Sequence, residues 1–491
     1  MTVEAGQAWQ RLSPRMLLVH PVHELLRQIP VLIGSLVLGS ATGNPMWALF
    51  GLALIVGYGL ARWFTTSYRI GPDEVQLRTG VLQRKVLSVP RNRIRSVSTD
   101  ARLLHRLLGL TVLRVSTGQE ARGDAAFALD AVQAGQVPRL RRILLADSLA
   151  PSEQEAWTTA RELARWQPSW LRYSPLSFTG LAMIAAAVGL VYQAGAGVAL
   201  QNSGFAQSGL NAAERFGVGA SVVVAVVVVL VASVVLSVLR SLVTYGNLVL
   251  VRRDVAGNND GVLHLEHGLL RVREHTFDMR RLRGGTLREP LLVRLFGGAR
   301  LDAVMTGVDG AGEASLLLPP CPRATAESVL SELIARPDAV TGPLRAHGAA
   351  ATRRRWTRAL ALPAVLLVAM VAWYSWAPVW LWPMWSVLTV CCALLAVDRS
   401  RALGHRVDAE WLVARAGSLD RRRDCIAAAG IIGWTVRQTL LQRRAGVATL
   451  IAATAAGVKS YRVIDVPAEL AWTIAGSASP WVADSDWART Q

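Results

Sequence analysis

Residues 93–112, RIRSVSTDARLLHRLLGLTV, are the most informative part of the sequence because their pattern occurs three times along the chain. In this copy a leucine pair, Leu103-Leu104, is followed by Arg106 and then by Gly109. Self-similarity at fixed spacing is the sequence signature of a repeated structural unit. The repeat therefore takes precedence over any single copy in predicting the architecture.

Each copy can be counted from a preceding glycine, which we call the repeat glycine: Gly80, Gly268 and Gly417. An aliphatic residue follows after 14 positions, a leucine pair after 23 and 24, an arginine after 26 and a second glycine after 29. These residues are Ile94, Leu282 and Ile431; Leu103-Leu104, Leu291-Leu292 and Leu440-Leu441; Arg106, Arg294 and Arg443; Gly109, Gly297 and Gly446.

Short alternating runs around the repeat glycines, such as 75–78 and 263–266, indicate half-buried strands. Another strand follows the second glycine of each copy. Each copy then ends in a predicted helix, at 133–145, 325–335 and 467–475. Each repeat is therefore predicted to be a small β-rich domain with a helix at its C-terminal end.

Long apolar runs come in pairs, one pair before each β-rich segment. Each longer run is close to the ~20 residues that cross a bilayer as a helix. The pattern predicts six membrane spans in three hairpins: 29–42 with 46–64, 176–193 with 218–239, and 359–376 with 379–397.

The charge distribution predicts one orientation for all three hairpins. The chain has 53 Lys and Arg against 34 Asp and Glu, a net charge of +19, and 52% of its residues are hydrophobic. The loops within the pairs carry almost no charge, whereas the segments between pairs hold nearly every arginine. By the positive-inside rule, the β-rich segments and both termini face the cytoplasm.

The motifs at 93–97 and 104–112 resemble those of the YdbS/YdbT-like bacterial pleckstrin-homology (PH) family. Three copies joined to membrane hairpins resemble its longer, YdbT-type members. The resemblance implies small antiparallel β-barrels whose final helix plugs one open end. It also implies a smaller YdbS-like membrane protein as a partner, and a role in envelope stress or antimicrobial resistance.

The predicted fold class is a mixed membrane protein in which three α-helical transmembrane hairpins alternate with three small antiparallel β-barrel, PH-like domains, each capped by a C-terminal helix. The predicted hairpins are 28–66, 176–240 and 359–398, and the PH-like domains that follow them are 67–148, 241–340 and 399–480. The remaining segments are an N-terminal juxtamembrane segment (1–27), a linker (149–175), a basic linker (341–358) and a tail (481–491).

The candidate functional surface is basic. Guanidinium groups can hold phosphate oxygens with two hydrogen bonds, and basic residues beside an anionic leaflet attract its headgroups. Alternatively, these residues form a solvated basic face whose only role is to set the membrane topology. The sequence does not decide between the two interpretations. The candidate residues are Arg84, Lys85, Arg91, Arg93, Arg95, Arg271, Arg273, Arg280, Arg281 and Arg283.

The sequence favours no catalytic, metal or cofactor site. His264 and His267 lie at odd separation in a strand pattern, which sends their side chains to opposite faces, and no cysteine or carboxylate cluster accompanies them. No phosphate loop, nucleophile elbow or nucleic-acid motif is present in the sequence. We therefore expect no enzyme, no cofactor and no nucleic-acid partner.

The predicted function is a noncatalytic scaffold in the bacterial plasma membrane that binds anionic lipid headgroups or partner proteins at the cytoplasmic face. Two alternatives remain. The chain could be a subunit of a membrane transport or export complex, although the predicted spans have no ionisable residue in their interiors. It could also be an assembly platform that binds peptides at exposed strand edges.

Overall fold

The structure is a computed structural model. It describes residues 9–11, 13–14, 46, 53, 57, 60–61, 64–71, 73–80, 84–91, 94, 96–101, 103–116, 127–145, 157–177, 179–193, 217–255, 258–307, 315–373 and 378–482. The chain divides into two compact units: unit 1 is Met1–Arg165 with Val243–Arg281, and unit 2 is Trp166–Leu242 with Leu282–Gln491.

Within the described residues, each repeat has the same order of elements. In repeats 1 and 2 a leading strand precedes the apolar hairpin, and in repeat 3 a single bridge takes its place. In each repeat three strands follow the hairpin as a first meander, three more form a second meander, and a helix ends the repeat. A short helix lies inside each second meander.

In repeat 1 the elements are β1 (Gln10–Arg11), β2 (Ser67–Ile70), β3 (Glu74–Thr79), β4 (Lys85–Pro90), β5 (Ser96–Ala101), α1 (Leu103–Leu107), β6 (Leu110–Ser116), β7 (Phe127–Gln133) and α2 (Val137–Leu145).

In repeat 2 they are β8 (Trp157–Arg165), α3 (Thr179–Gln193), α4 (Val218–Tyr245), β9 (Val249–Val255), β10 (Asn258–His267), β11 (Val272–Asp278), β12 (Leu282–Pro290), α5 (Leu291–Leu295), β13 (Gly298–Met305), β14 (Leu316–Pro322), α6 (Arg323–Ile334) and the short α7 (Pro337–Thr341).

In repeat 3 a single bridge between Arg345 and His405 stands in place of the leading strand. It is followed by α8 (Gly348–Ala372), α9 (Leu381–Ala402), β15 (Gly404–Val407), β16 (Trp411–Ala416), β17 (Asp420–Ala427), β18 (Ile431–Arg437), α10 (Leu440–Arg444), β19 (Val447–Thr454), β20 (Ser460–Pro467) and α11 (Ala471–Ala478).

Two of the hairpins connect strands that are neighbours in one sheet. β1 pairs with β2 and β8 pairs with β9, so each hairpin connects two neighbouring antiparallel strands. β8 lies in the segment 149–175, which the sequence analysis assigns to a linker. A membrane hairpin held by strands on both sides is attached to its sheet at two points.

Unit 1 has two antiparallel sheets. One has the order β1-β2-β3-β4 and the other β7-β6-β5-β11-β10-β9-β8. The first sheet, the second meander of repeat 1 and α2 share one core, in which the fully buried side chains include those of Val75, Ile94, Leu113, Leu129 and Leu144. Burial of such aliphatic side chains stabilises the fold by about 2 kcal/mol each.

Unit 2 also has two antiparallel sheets, with the orders β14-β13-β12-β17-β16-β15 and β18-β19-β20. Its core joins the first meander of repeat 3 to β19, β20 and α11 through Leu412, Ile426, Leu450, Val466 and Ile474.

The repeat glycines occupy turns that a side chain would disturb. Gly80, Gly268 and Gly417 have φ of 121°, 109° and 104° and lie between the second and third strands of each first meander. A Cβ atom at Gly268 would lie 2.1 Å from the carbonyl oxygen of Arg271. This backbone requirement explains why the same residue returns at the same point of each repeat.

Neighbouring repeats are joined by strand pairing with one register. We call the β5–β11 pair joint 1 and the β12–β17 pair joint 2. In joint 1 Val97, 17 residues after its repeat glycine, pairs with Thr276, 8 residues after the next one. In joint 2 Gly285 and Cys425 hold those same two positions. The register is therefore a property of the repeat.

The predicted closed barrels are not found among the described residues, where all four sheets are open. In repeats 1 and 2 the first strand of the second meander, β5 or β12, pairs with the first meander of the next repeat and not with that of its own repeat. An amphipathic strand pattern fixes which face is buried, but it does not specify which neighbour completes the sheet.

Three helices are long and apolar enough to cross a membrane, where the sequence predicts six spans. They are Gly219–Tyr245 within α4, α8 and α9. Only 6 to 11% of the residues in their apolar windows are buried within the protein, which leaves most of their surface available for contact with lipid. The described part of α3 has 15 residues, fewer than the ~20 of a typical span, and the residues that adjoin it on both sides lie outside the described part of the chain. Most of hairpin 1, 28–66, lies outside the described residues.

Candidate functional site

Joint 1 holds one arginine of the predicted basic surface in an ion pair. Arg271 donates from Nε to Oδ1 of Asp100 at 2.6 Å and from Nη2 to Oδ2. Arg114 lies 3.7 Å from the same carboxylate, and Asp100 is only 6% exposed. Burial raises the pKa of Asp100, but the hydrogen bond from Arg271 and the charges of Arg271, Arg114 and Arg273 outweigh it and lower the pKa below its ordinary value of 3.8. The Arg271 guanidinium is thus bound within the fold.

Three further arginines of that surface bond within unit 1. Arg280 and Arg281 lie with their Nε atoms 3.2 and 3.6 Å from carboxylate oxygens of Asp278. Arg91 donates to the backbone carbonyl of Ile143. A phosphate group would have to compete with these partners for the guanidinium groups.

The other predicted residues fall in different places. Arg84 and Lys85 are exposed at the start of β4, and Arg273 is half-buried on β11. Arg283 belongs to unit 2, where its side chain lies beside Gly430. Arg93 and Arg95 lie outside the described residues. Among the described members, Arg84 and Lys85 present the most accessible positive charge.

A charge network that the sequence analysis did not predict lies where α9 ends. Asp398 accepts hydrogen bonds from Nη2 of Arg294 at 2.8 Å and from Nη2 of Arg421 at 2.6 Å. Glu289 lies 3.2 Å from Nε of Arg323. Arg294 is the arginine found 26 residues after the repeat glycine, so its recurrence was the available signal. Its acidic partner is 104 residues away, and spacing alone could not identify it.

Four exposed arginines lie at the open end of the α8–α9 hairpin: Arg353, Arg358, Arg399 and Arg401. The helices are packed together, and Nε1 of Trp385 donates to the carbonyl of Pro363 at 2.9 Å. The connection between α8 and α9 is short, so the start of α8 and the end of α9 lie at one end of the hairpin. Within the described residues of hairpin 3, its positive charge is therefore gathered beside the β-strands of unit 2.

The start of α8 is fixed to β20 by a buried acid. The side chain of Asp465 accepts a hydrogen bond from Nε2 of Gln442 at 2.8 Å and lies 2.7 Å from Nη2 of Arg355. Nε of Arg354 is 3.4 Å from the same carboxylate. The two arginines of this helix are thus held by the sheet, unlike the four at the hairpin end.

A buried histidine pair lies next to this anchor. Nδ1 of His405 is 2.9 Å from Nε2 of His347, whose Nδ1 is 2.8 Å from the carbonyl oxygen of Ile464. Burial, followed by the charges of His347 and Arg345, lowers the pKa of His405 to about 4. Burial also lowers the pKa of His347. Neutral rings can share one N–H between them, so the pair links β15 to β20 as a structural contact.

The described residues contain no group of three or more His, Cys, Asp or Glu side chains placed to hold a metal ion. Cys321 and Cys425 are fully buried, and burial raises the pKa of each thiol to about 12. Thiols with such values are protonated at neutral pH and are poor nucleophiles.

The order of elements in repeats 1 and 3 can now be compared with known families. Two segments of the chain, 25–148 and 357–476, match the family model described as bacterial PH domain. Each matched segment contains the apolar hairpin, both meanders and most or all of the final helix. Repeats 1 and 3 are thus similar to bacterial PH domains with their hairpins included. No curated protein and no solved structure matches the chain.

The middle repeat lies outside the matched segments, although it has the same order of strands and helices. Its two meanders belong to different units and pair with strands of repeats 1 and 3, the repeats that are similar to bacterial PH domains. PH domains are generally noncatalytic modules that bind lipids or proteins.

Proposed function

We propose that the chain is a noncatalytic scaffold, anchored in the plasma membrane, whose exposed arginines bind anionic phospholipid headgroups at the cytoplasmic face. The observation that carries this proposal is the cluster Arg353, Arg358, Arg399 and Arg401 at the end of the α8–α9 hairpin. Each such residue close to an anionic leaflet contributes about 1 kcal/mol of attraction.

The strand pairing supports an even number of crossings in each hairpin. β8 and β9 pair along their length, although α3 and α4 separate them in sequence. Two neighbouring strands can lie in one sheet only if the chain between them returns to the side of the membrane that it left. Three hairpins with two spans each would satisfy this condition and place all the sheets, and both termini, on the cytoplasmic side.

Aromatic and charged side chains are distributed in hairpin 3 as this orientation requires. Trp373 and Trp380 flank the end without basic residues, and the arginines flank the other. Tryptophan favours the headgroup level, and basic residues favour the cytoplasmic side. The binding surface proposed here therefore lies at hairpin ends, with Arg84 and Lys85 as further contributors from the predicted basic residues.

The resemblance to YdbT-type proteins adds a finer proposal, in which a smaller YdbS-like membrane protein is a partner and the complex acts in envelope stress or antimicrobial resistance. Its support is the match of repeats 1 and 3 to bacterial PH domains. Copurification of the chain from its native membrane, followed by mass spectrometry of the bound proteins, tests it directly. A second bacterial PH-domain protein among them is the expected result.

Headgroup binding is tested with the full chain in detergent, because the joints make an isolated repeat an incomplete sheet. Native mass spectrometry should show anionic phospholipid retained in preference to neutral phospholipid, and retention should fall as salt rises. Replacing Arg353 and Arg399 by glutamine should weaken binding on the order of tenfold.

The matched control replaces Arg437 and Arg462, two exposed arginines of the sheet β18-β19-β20, by glutamine. This variant should keep the binding of the unaltered chain. Equal retention of neutral and anionic lipid, or equal loss in both double variants, would refute the proposed site.

A further inference from the structure

Two strands that correspond to joint-forming strands have no joint partner among the described residues: β4 near the start of the chain and β18 near its end. Within the described residues, β4 pairs only with β3, and β18 pairs only with β19. β4 is the last strand of a first meander, like β11 and β17, which are paired in the joints. β18 is the first strand of a second meander, like β5 and β12. β4 and β18 therefore correspond to the two strands of a joint, and among the described residues neither is paired as in a joint.

The register of the joints predicts how these two edges would meet. In both joints, the positions of two paired residues, each counted from its own repeat glycine, add up to 25. Applied to β18 and β4, this rule places Val436 opposite Val86 and Thr435 opposite Leu87. It also places Gly433 opposite Val89, as Gly284 lies opposite Ile426 in joint 2.

Gly433 leaves the space that an incoming strand needs. At the matching position in joint 2, a Cβ on Gly284 would lie 1.9 Å from the carbonyl oxygen of Cys425, because the partner strand passes so close. A Cβ on Gly433 would meet only the Cβ of Ala453, at 3.8 Å. Gly433 stands at the same position after its repeat glycine as Gly284, and among the described residues no strand lies beside it on that edge.

Apolar side chains next to β18 are uncovered in the same way. Leu440 and Leu441 are 82% and 66% exposed, whereas their counterparts Leu291 and Leu292 in α5 are partly buried. The backbone N–H of Leu291 donates to the carbonyl of Leu419 in the turn before β17, at 2.7 Å. A strand docked on β18 would bring such a turn to α10.

The sequence of β4 suits it to that position. Lys85 stands 5 residues after its repeat glycine, where the paired strands carry Arg273 and Arg422, so a basic residue there does not prevent pairing. The positions that would pair, 85–89, contain no proline. Val86 is 54% exposed on this edge and would gain an apolar neighbour in Val436.

We propose that β18 of one chain pairs with β4 of a second copy, in the antiparallel register of the joints. The contact is head-to-tail, so each copy uses one edge for each neighbour and the assembly extends or closes as a ring. Backbone hydrogen bonds along the shared edge provide the attraction, and the uncovered leucines of α10 add apolar burial. This inference does not depend on headgroup binding, which the hairpin ends carry.

The test uses two full-length chains with different tags, one carrying Val86→Cys and the other Val436→Cys, in a background with Cys391→Ser and Cys392→Ser. The remaining Cys321 and Cys425 are buried. Opposite residues of an antiparallel pair lie within disulfide distance. After coexpression and mild oxidation, crosslinked dimer carrying both tags should exceed that from Val86→Cys with Arg437→Cys, one residue out of register, by about tenfold.

A second measurement needs no substitution. Native mass spectrometry of the unaltered chain in mild detergent should give species that contain two or more copies. Equal crosslinking of the in-register and off-register pairs, or only single copies in the native spectrum, would overturn the inference. Lipid binding would be measured in the same spectra, so failure of the assembly would be distinguished from failure of the headgroup site.

Discussion

Joint 1 and joint 2 have one register but different side-chain chemistry. In joint 1 the buried Asp100 binds Arg271, and the hydroxyl of Thr99 donates to Glu274 at 3.1 Å. In joint 2 the backbone of β17 at Cys425 passes close to Gly284, and the hydroxyl of Thr286 donates to Asp424 at 2.7 Å. The strand register is therefore a property of the backbone geometry that the repeats share, while the stabilising side-chain contacts differ from one joint to the other.

The largest difference in stability is expected between alanine substitutions at Gly284 and at Gly433, which both stand 16 residues after their repeat glycines. Gly284→Ala should destabilise unit 2 by about 3 kcal/mol or more, because φ is 138° and the new Cβ would overlap the carbonyl of Cys425. Gly433→Ala should change stability by less than about 0.5 kcal/mol. Urea unfolding of the full chain in detergent, diluted to separate the copies, measures both. Equal losses would mean that β17 does not lie beside β12.

The next effect compares the acids of the two joints. Asp100→Asn should destabilise unit 1 by about 3 kcal/mol, because it leaves the partly buried Arg271 beside a neutral amide. Asp420→Asn should cost less than about 1 kcal/mol, since the Arg288–Asp420 pair is about one-third exposed on both sides. Hydrogen exchange in β5 and β12 resolves the two joints separately. A greater loss for Asp420→Asn would reverse the account of which joint relies on charge.

A smaller effect compares two threonines that stand 18 residues after their repeat glycines, Thr286 and Thr435. Thr286→Val removes the hydrogen bond to Asp424 and should destabilise joint 2 by about 1 kcal/mol. Thr435 is exposed on β18, so Thr435→Val should be close to neutral. The same urea unfolding measurement applies. A larger loss for Thr435→Val would show that the side chain is not exposed as described.

The smallest effect is the pH dependence of joint 1. The folded-state pKa of Asp100 lies below 3.8, so its contribution to stability is present above 3.8 and is lost as the pH falls through the folded-state value. Hydrogen exchange in β5, corrected for the intrinsic pH dependence of exchange, should accelerate in that acid range. Asp100→Asn should remove this acceleration, and an unchanged profile in the variant would assign it to another group.

The sequence predicted the repeat, its strands and final helices, and the reason lies in local patterns. Alternation of apolar residues marks strands such as β3 and β10, and the glycines that adopt positive φ mark the turns. The partner of each strand was not predictable in this way. Val97 pairs with Thr276, 179 residues away, and nothing in either strand identifies the other.

The candidate basic surface was predicted from clusters of basic residues in the sequence, and several of its described members bond within the fold. Arg271, Arg280 and Arg281 were named as members of a basic surface, and their acidic partners Asp100 and Asp278 were not recognised from the sequence. Arginine clusters in sequence report topology and charge, whereas ion pairing depends on which chain segments meet. The four exposed arginines at the end of hairpin 3 were not among the residues named from the sequence.

The most direct test measures disulfide formation across joint 1 in the full chain. Ser98→Cys and His275→Cys are introduced into a variant that also carries Cys391→Ser and Cys392→Ser. These two residues are paired in the register. Non-reducing peptide mass spectrometry after mild oxidation should find the 98–275 disulfide in most molecules, and little of it when Glu274→Cys replaces His275→Cys. If both pairs crosslink equally, or neither does, adjacent repeats do not share a sheet in the described register.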